Sequence, residues 1–346
     1  MKRKMLANEI ADGFQSAMRE QHLYPCYQPQ INHSTGRMVG AEALMRWGHP
    51  DFGLQLPSDF IPVLEERDLI FAADIHIFEC VCRFLRKCLD GGIPVVPISV
   101  NMSRFDVFRH EYVDEIEKIR RQYEIPVKFL RVEITESSAI GGMKLMTEVI
   151  GRLKSCGYIV EMDDFGSGYS SLNILKNLDV DIIKLDMGFL DGDIGGRGGI
   201  ILSSVVNMAK WLDTPLIAEG VETLEQADYM KSLGCNYIQG YLYAKPMPEK
   251  DFLEKLYQTE HEPIAPSMKL IDTMNAGKFW DPDSMETLIF SNFVGAAALF
   301  AYQEEKLELL RVNEKYTREL AMNLSAQEVI GLDMRQGMDE HNWSVY

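Results

Sequence analysis

No stretch of this 346-residue sequence reaches the ~18–20 consecutive apolar residues that a bilayer-spanning helix needs. The nearest, Leu288 to Tyr302, is shorter and is broken by Ser291 and Asn292, so no membrane segment is expected. The start, Met1-Lys-Arg-Lys4, runs into a polar amphipathic stretch and lacks the apolar core of a secretory signal. A basic surplus is also missing. Lys and Arg total 35 against 52 Asp and Glu, a net charge of −17. That excludes broad binding to polymeric nucleic acid, which needs a cationic surface. It does not exclude a small phosphate ester, because a few cations can neutralise phosphate locally. The six cysteines (26, 80, 82, 88, 156 and 235) form no CxxC pair, which argues against a thiolate metal site or a disulfide framework. Reduced thiols are expected, as in a cytoplasmic protein. None of the seven histidines stands in a zinc pattern such as HExxH, and the 19 methionines are scattered as core filler.

What the sequence does contain is a series of short apolar runs that end in polar residues. The most telling is Glu161-Met-Asp-Asp-Phe-Gly-Ser-Gly-Tyr-Ser-Ser-Leu172, where a buried-strand pattern over Gly157 to Met162 stops at Asp163 and Asp164. Adjacent carboxylates repel each other unless a cation or proton neutralises them. Alone, the pair fits a solvated turn equally well. Recurrence decides between the two. Met38 to Trp47 carries Glu42 and Arg46, Val95 to Asn101 ends in Asn101, and Phe129 to Glu136 carries Glu133 and Glu136. Asp181 to Asp186 carries Lys184 and Asp186, Pro215 to Glu219 ends in Glu219, and Tyr237 to Leu242 carries Gln239. Tyr24 to Gln30 supplies an eighth strand pattern. Helical periodicity fills most of the gaps, over 75–89, 143–154, 200–211 and 224–233. Strands alternating with helices predict βαβ units, and eight of them predict an α/β fold of the TIM-type (β/α)8 barrel. Polar residues at the strand ends would then converge at one mouth.

The motifs resemble those of the EAL domain, the bacterial phosphodiesterase family that hydrolyses cyclic di-GMP. The signature tripeptide is Glu42-Ala43-Leu44, followed by Met45-Arg46. In order along the chain stand Tyr27-Gln28-Pro29, Ser99-Val-Asn101-Met-Ser103, Glu133-Ile-Thr-Glu136, Asp163 to Leu172, Lys184-Leu-Asp186, Ala218-Glu-Gly-Val-Glu222, and Gln239-Gly-Tyr-Leu242 with Pro246. Three common residues recur by chance, but eight ordered motifs over residues 20 to 255 do not.

The strand-end residues Glu42, Asn101, Glu133, Asp163, Asp164 and Glu219 offer oxygen alone, which favours Mg²⁺ or Mn²⁺ over softer ions. Their number suits two ions. Such a pair, ~3.5–4 Å apart, clamps the attacking and leaving oxygens of a phosphodiester. Lys184 beside this cluster would orient the attacking water or serve as a counter-ion. The resemblance implies metal ligation by those six residues and contact between Lys184 and the nucleophilic water, with Glu219 either a ligand alone or also a proton acceptor. It implies substrate contacts from Gln28, Leu44, Arg46 and Gln239, and a loop tether from Glu136. Asp186 and Glu222 are read as supporting residues. No position expected to carry catalysis is substituted. The implied activity is metal-dependent opening of cyclic di-GMP to linear pGpG. The alternative is a catalytically silent receptor for the same nucleotide. An enolase-type lyase would explain Lys184 and the acids, but not Gln28, Arg46, the Asp163-Asp164 pair or the Gly-Ser-Gly loop. The family also implies a homodimer.

Three segments are expected: an N-terminal helix over 1–19, the barrel over 20–257, and a linker with an α+β extension over 258–346. No Gly-Gly-Asp-Glu-Phe cyclase signature occurs. The start at Met1 fits a stand-alone enzyme or a piece of a longer chain. Thr259 to Pro266 reads as a linker and Asp283 to Phe290 as a short helix. Ala296–Tyr302 and Leu307–Val312 read as a β-hairpin, and Arg311 to Leu320 as helical. That order resembles the beginning of a PAS sensor domain. A truncated sensor, an extension packed on the barrel and a dimerisation element all fit the segment.

Overall fold

The computed structural model describes residues 4–139, 142–166, 177–190, 197–264, 298–303, 306–313 and 316. The chain divides into two compact units, 1–191 with 214–223 and 236–265, and 192–213 with 224–235 and 266–346.

In the first unit, strands β1 (Leu23–Asn32), β2 (Met38–His49), β4 (Ile98–Met102), β5 (Leu130–Thr135), β6 (Ile159–Phe165), β7 (Ile182–Asp186), β8 (Leu216–Glu219) and β9 (Tyr237–Ile238) form a closed barrel. A short β3 (Gly53–Gln55) extends β2 outward. Pairing runs parallel from β2 through β9, but β1 is antiparallel to both of its neighbours, β2 and β9. The barrel is therefore mixed, where eight uniform βαβ units were expected. The reason is loop length: only residues 33–37 separate β1 from β2. A parallel return needs a crossover of a dozen or more residues, so the short link makes a hairpin. Two prolines survive inside β1 because of the same geometry. Residues 25, 27 and 29 turn their backbone groups to one side, where Tyr27 pairs with Met247 alone. Pro25 and Pro29 remove no ladder bond there.

Helix α1 (Ala7–Arg19) buries Ile10, Phe14 and Ala17, a stripe at helical spacing, against Trp47, Phe60 and Leu64. Helices α2 (Pro57–Glu66) and α3 (Ile70–Asp90) follow β3. Then come α4 (Glu111–Gln122), α5 (Glu136–Ala139) and α6 (Met143–Ser155) between the barrel strands, and α9 (Glu249–Gln258) after β9. Tyr27 stacks on Phe252 of α9 at 4.9 Å between ring centroids. The predicted linker is not slack throughout. Met38 N–H donates to Glu260 O at 2.8 Å, Glu262 N–H donates to Met38 O at 3.0 Å, and Arg37 pairs with Glu260. Residues 260–262 are thus laid along the start of β2. None of the six cysteines is in a disulfide, and all but Cys156 are buried.

The second unit holds α7 (Arg197–Trp211), α8 (Leu224–Ser232) and an antiparallel hairpin, β10 (Ala298–Gln303) with β11 (Lys306–Val312). Tyr229 Oη donates to Gly199 O at 3.2 Å, joining α8 to α7. Lys210 Nζ donates to Leu233 O just beyond α8. The hairpin matches the expected one. Arg311 and Val312 belong to its second strand, however, so the helical pattern read from Arg311 onward does not begin there. The expected helix over 283–290 lies outside the described residues. Among the described residues, no helix is long and apolar enough to cross a membrane.

Candidate active site

Strand polarity brings the polar residues to one end of the barrel. Because β2, β4, β5, β6, β7 and β8 run parallel, residues that close their C-terminal halves share a mouth: Asn101 is in register with Glu133, Thr135 with Asp163, and Asp186 with Glu219. The antiparallel β1 delivers Gln28 opposite Glu42.

Lys184 lies at the centre and is fully buried. Its Nζ is 2.7 Å from Glu133 Oε2, 2.7 Å from Glu219 Oε1, 3.0 Å from Glu42 Oε2 and 3.5 Å from Asp163 Oδ1. Glu42 also accepts hydrogen bonds from Asn101 Nδ2 at 2.9 Å and Gln239 Nε2 at 2.5 Å. Burial resists charge on Glu42, but the Lys184 ammonium and these donors outweigh it and hold its carboxyl below the usual range. Burial raises Glu133 and Glu219 well above that range, with neighbouring carboxylates adding to the effect. Asp164 is raised by burial and by Asp163. For Lys184 burial opposes the charge, but the surrounding carboxylates win, and its pKa lies well above an ordinary lysine.

The Asp163-Asp164 pair has a local device of its own. The strand does not stop at Met162 as expected but continues to Phe165, with a register shift between Met162 and Phe165. Asp164 there has a φ of 53°. In a regular strand, successive side chains point to opposite faces. The bulge breaks that alternation, and both aspartates line the same cavity. Left-handed backbone suits Asp better than most residues. Beyond the strand, Gly166 N–H donates to Glu136 Oε2 at 3.1 Å. The rest of the Gly-Ser-Gly loop and the helical pattern near Ser171 lie outside the described residues.

Above Lys184 opens a cavity of about 410 Å³, walled by Gln28, Glu42, Leu44, Asp163, Asp164, Asp186, Glu219, Glu222 and Gln239. Glu133, Lys184 and Asn101 sit behind this wall, with Asn101 and Lys184 both touching Glu42. Arg46 is the exception among the predicted contacts. It lies on the same face of β2 as Glu42 and Leu44, but its Nη1 donates to Met45 O at 2.8 Å and it does not line the cavity. Gly220, Gly240 and Tyr241 complete the wall, and sequence reasoning assigned them no role. The available signal for Gly240 was a glycine inside a strand pattern, which marks close backbone approach; a Cβ there would lie 2.0 Å from Val221 O. Tyr241 is exposed, with Lys245 Nζ 5.1 Å from its ring centroid.

Among the described residues, no three His, Cys, Asp or Glu side chains form a ready cage for a metal. The carboxylates close around the Lys184 ammonium instead. Divalent cations nonetheless fit the donor chemistry. Every donor is oxygen, Glu133 Oε1 is buried without a hydrogen-bond partner, and Asp163 Oδ1 has only the Lys184 ammonium, at 3.5 Å. Buried orphan carboxylate oxygens are costly unless something positive reaches them.

Comparison with known proteins agrees with this geometry. The EAL domain model matches residues 11–246. The chain belongs to the EAL domain family. This EAL domain is 34% identical over 250 residues to the bifunctional diguanylate cyclase/cyclic di-GMP phosphodiesterase MucR of Pseudomonas aeruginosa, covering 71% of the chain and 36% of MucR. It is 35% identical over 229 residues to the cyclic di-GMP phosphodiesterase RocR of the same organism, covering 66% of the chain and 58% of RocR. The chain thus spans about a third of the one relative and somewhat over half of the other. Among solved structures, the MucR phosphodiesterase in complex with c-di-GMP superposes with a TM-score of 0.67 at 33% identity, covering 70% of this chain and 99% of that one.

Proposed function

We propose that this EAL domain hydrolyses cyclic di-GMP to linear pGpG with the help of divalent cations, two Mg²⁺ or Mn²⁺ ions. The observation that carries the reading is the convergence of Glu42, Glu133, Asp163 and Glu219 on Lys184 beneath an open cavity. The similarity to MucR and RocR supports the substrate. Glu42, Asn101, Glu133, Asp163, Asp164 and Glu219 would hold the ions. Bound there, the cations supply Lewis-acid activation of water and neutralise phosphoryl charge.

The chain's own residues do the rest. Lys184 keeps its proton among the carboxylates, where its three N–H bonds go to Glu42, Glu133 and Glu219, and it would contact the attacking water only once one of these partners is released. Water adds to one phosphorus, the bond from that phosphorus to a ribose 3′-oxygen breaks, and the oxygen leaves as a hydroxyl after taking a proton from solvent, opening the ring. Glu219 touches Lys184 and lines the cavity, which supports the reading that it takes the proton from water. Gln28, Leu44 and Gln239 line the substrate side. Arg46, two residues farther along β2 than Leu44, reaches a phosphate only by leaving Met45 O, and is suited to grip it bidentately. Glu136 holds Gly166 and so anchors the loop after β6. Asp186 and Glu222 support the wall.

The working form is proposed as a cytoplasmic homodimer, with residues 20–257 as the catalytic barrel, 1–19 as its lead-in helix and 258–346 as a linker and C-terminal extension, which a truncated PAS-like module, an element packed on the barrel and a dimerisation element all fit. Incubation of purified protein with cyclic di-GMP and Mg²⁺ or Mn²⁺, with a chelated control, tests the activity. Metal-dependent pGpG establishes the hydrolase. Saturable binding of intact nucleotide without turnover would replace it with a receptor.

A further inference from the structure

One layer below the candidate metal ligands lies a second polar layer that the activity does not account for. On parallel strands, residues two apart share a face. Arg131 precedes Glu133 by two, Glu161 precedes Asp163, Ser99 precedes Asn101, and Gly40 precedes Glu42. On the antiparallel β1, Gln30 follows Gln28 and stands opposite Gly40. Gln30, Ser99, Arg131 and Glu161 are all buried.

Their hydrogen bonds form one directed chain. Arg131 Nη1 donates to Glu161 Oε1 at 3.0 Å and to Gln30 Oε1 at 3.1 Å. Gln30 Nε2 donates to Gln239 Oε1 at 3.0 Å. Gln239 Nε2 donates to Glu42 Oε2 at 2.5 Å. Ser99 Oγ holds the other Glu161 oxygen at 2.7 Å, and Arg131 Nη2 reaches Val39 O at 3.0 Å. An amide has one accepting and one donating end, and its neighbours decide which way it faces. Here the guanidinium takes the oxygen of Gln30 and turns its NH₂ toward Gln239. Gln30 in turn takes the oxygen of Gln239 and leaves its NH₂ for Glu42. Room for this exists because residue 40 is glycine. A Cβ there would lie 2.5 Å from Gln30 Oε1 and 2.9 Å from Arg131 Nη1.

We infer that Gln30 and the buried Arg131–Glu161 pair are positioning residues that fix the rotamer of Glu42 through the Gln239 amide. The inference rests on the reading of Glu42 as a cation ligand. Groups that hold a ligand in place change metal affinity by about 10–100-fold when removed. Gln239 stands at that distance and Gln30 one step farther out.

The test is a Mn²⁺ titration by calorimetry on the full chain, with KM and kcat for cyclic di-GMP measured alongside. Gln30→Met leaves the ion pair in place, and an unchanged thermal midpoint would show that the fold is intact. The expected result is a roughly 3–10-fold rise in the Mn²⁺ dissociation constant. Gln30→Glu keeps an acceptor for Arg131 but loses the donor to Gln239, and should weaken Mn²⁺ to a similar degree. In a Gln239→Met background, Gln30→Met should change nothing further, because coupled residues are non-additive. Wild-type Mn²⁺ affinity and KM in Gln30→Met would overturn the relay. So would an equal effect in both backgrounds, since the influence would then bypass Gln239. Absence of turnover in the wild type would count against the hydrolase alone, because the titration judges the relay without it. A wild type that binds no Mn²⁺ would overturn both.

Discussion

The mouth and the floor of the barrel solve the same problem in opposite ways. Each buries charge almost completely. At the floor, one guanidinium faces one carboxylate, Arg131 against Glu161, and both Glu161 oxygens have donors. At the mouth, four carboxyl groups share the Lys184 ammonium, Asp163 Oδ1 only at 3.5 Å, and Glu133 Oε1 has no hydrogen-bond partner. The floor pair is balanced in charge, and its open atom is a donor, Arg131 Nε, buried without a hydrogen-bond partner. A surplus of buried negative charge is unstable by itself, and its deficit has the sign and the donor type that a hard cation corrects. The difference separates charge used for architecture from charge held ready for a ligand.

The comparison breaks most sharply at the surplus. Glu133→Gln should reduce metal-dependent turnover by about 10³-fold or more, since a catalytic metal contributes several kcal/mol. Its denaturation midpoint should hold or rise, because one of the four carboxyl groups crowded around Lys184 becomes a neutral amide. Turnover near wild type would mean that Glu133 is not part of the reacting cluster. At the floor the order reverses. Glu161→Gln should destabilise by about 3–5 kcal/mol in urea unfolding by stranding Arg131, whereas Arg131→Met with Glu161→Met should recover most of that loss.

Adding the missing cation should stabilise the mouth directly. Mg²⁺ or Mn²⁺ at a hundred times its dissociation constant should add about 2.7 kcal/mol, reversed by a chelator. The Glu133→Gln variant should show little of this gain.

The smallest effect belongs to a third buried acid site, where a proton replaces the cation. Asp74 and Asp106 are buried beside each other. Burial pushes Asp106 up to about 6, and burial with Asp106 raises Asp74 well above the carboxylate range. Both groups bind protons more tightly in the folded chain. Their contribution is therefore intact below the ordinary aspartate pKa and declines as pH rises through about 6. Arg109 eases the charge on Asp106, and Asp68 and Glu111 oppose it. Asp106→Asn imitates the protonated partner. It should flatten that decline and gain about 1–2 kcal/mol near pH 7, read from unfolding curves between pH 4 and 8.

Much of this was legible before any coordinates. Apolar runs that carry Glu42, Glu133 and Lys184 or end in Asn101 and Glu219 announced parallel strands, because a strand buried on both faces reads as a continuous apolar run. Helices α6, α7 and α8 fell within a few residues of their periodic patterns. The short strand β9 did not. The run Tyr237 to Leu242 is strand only at Tyr237 and Ile238; beyond them Gln239 N–H donates to Ala218 O, Val221 N–H to Gln239 O and Leu242 N–H to Val221 O as the chain turns past Gly240. Arg131 and Glu161 escaped notice although each stands two residues before a site residue, on the same strand face. That period of two was the available signal, but nothing in one strand shows which charge another strand will present to it.

The sequence by itself determined the strand and helix order, the family motifs and the oxygen-only donor set, since these depend on residue type and local spacing. Only the tertiary structure decided that β1 runs antiparallel, that a bulge turns Asp163 and Asp164 into one cavity, that Lys184 stands within 3.5 Å of four carboxylates, and that Arg131 reaches Glu42 through two amides. Those facts depend on register between strands far apart in the chain. Register is set by closing the barrel, when each strand must satisfy two neighbours at once.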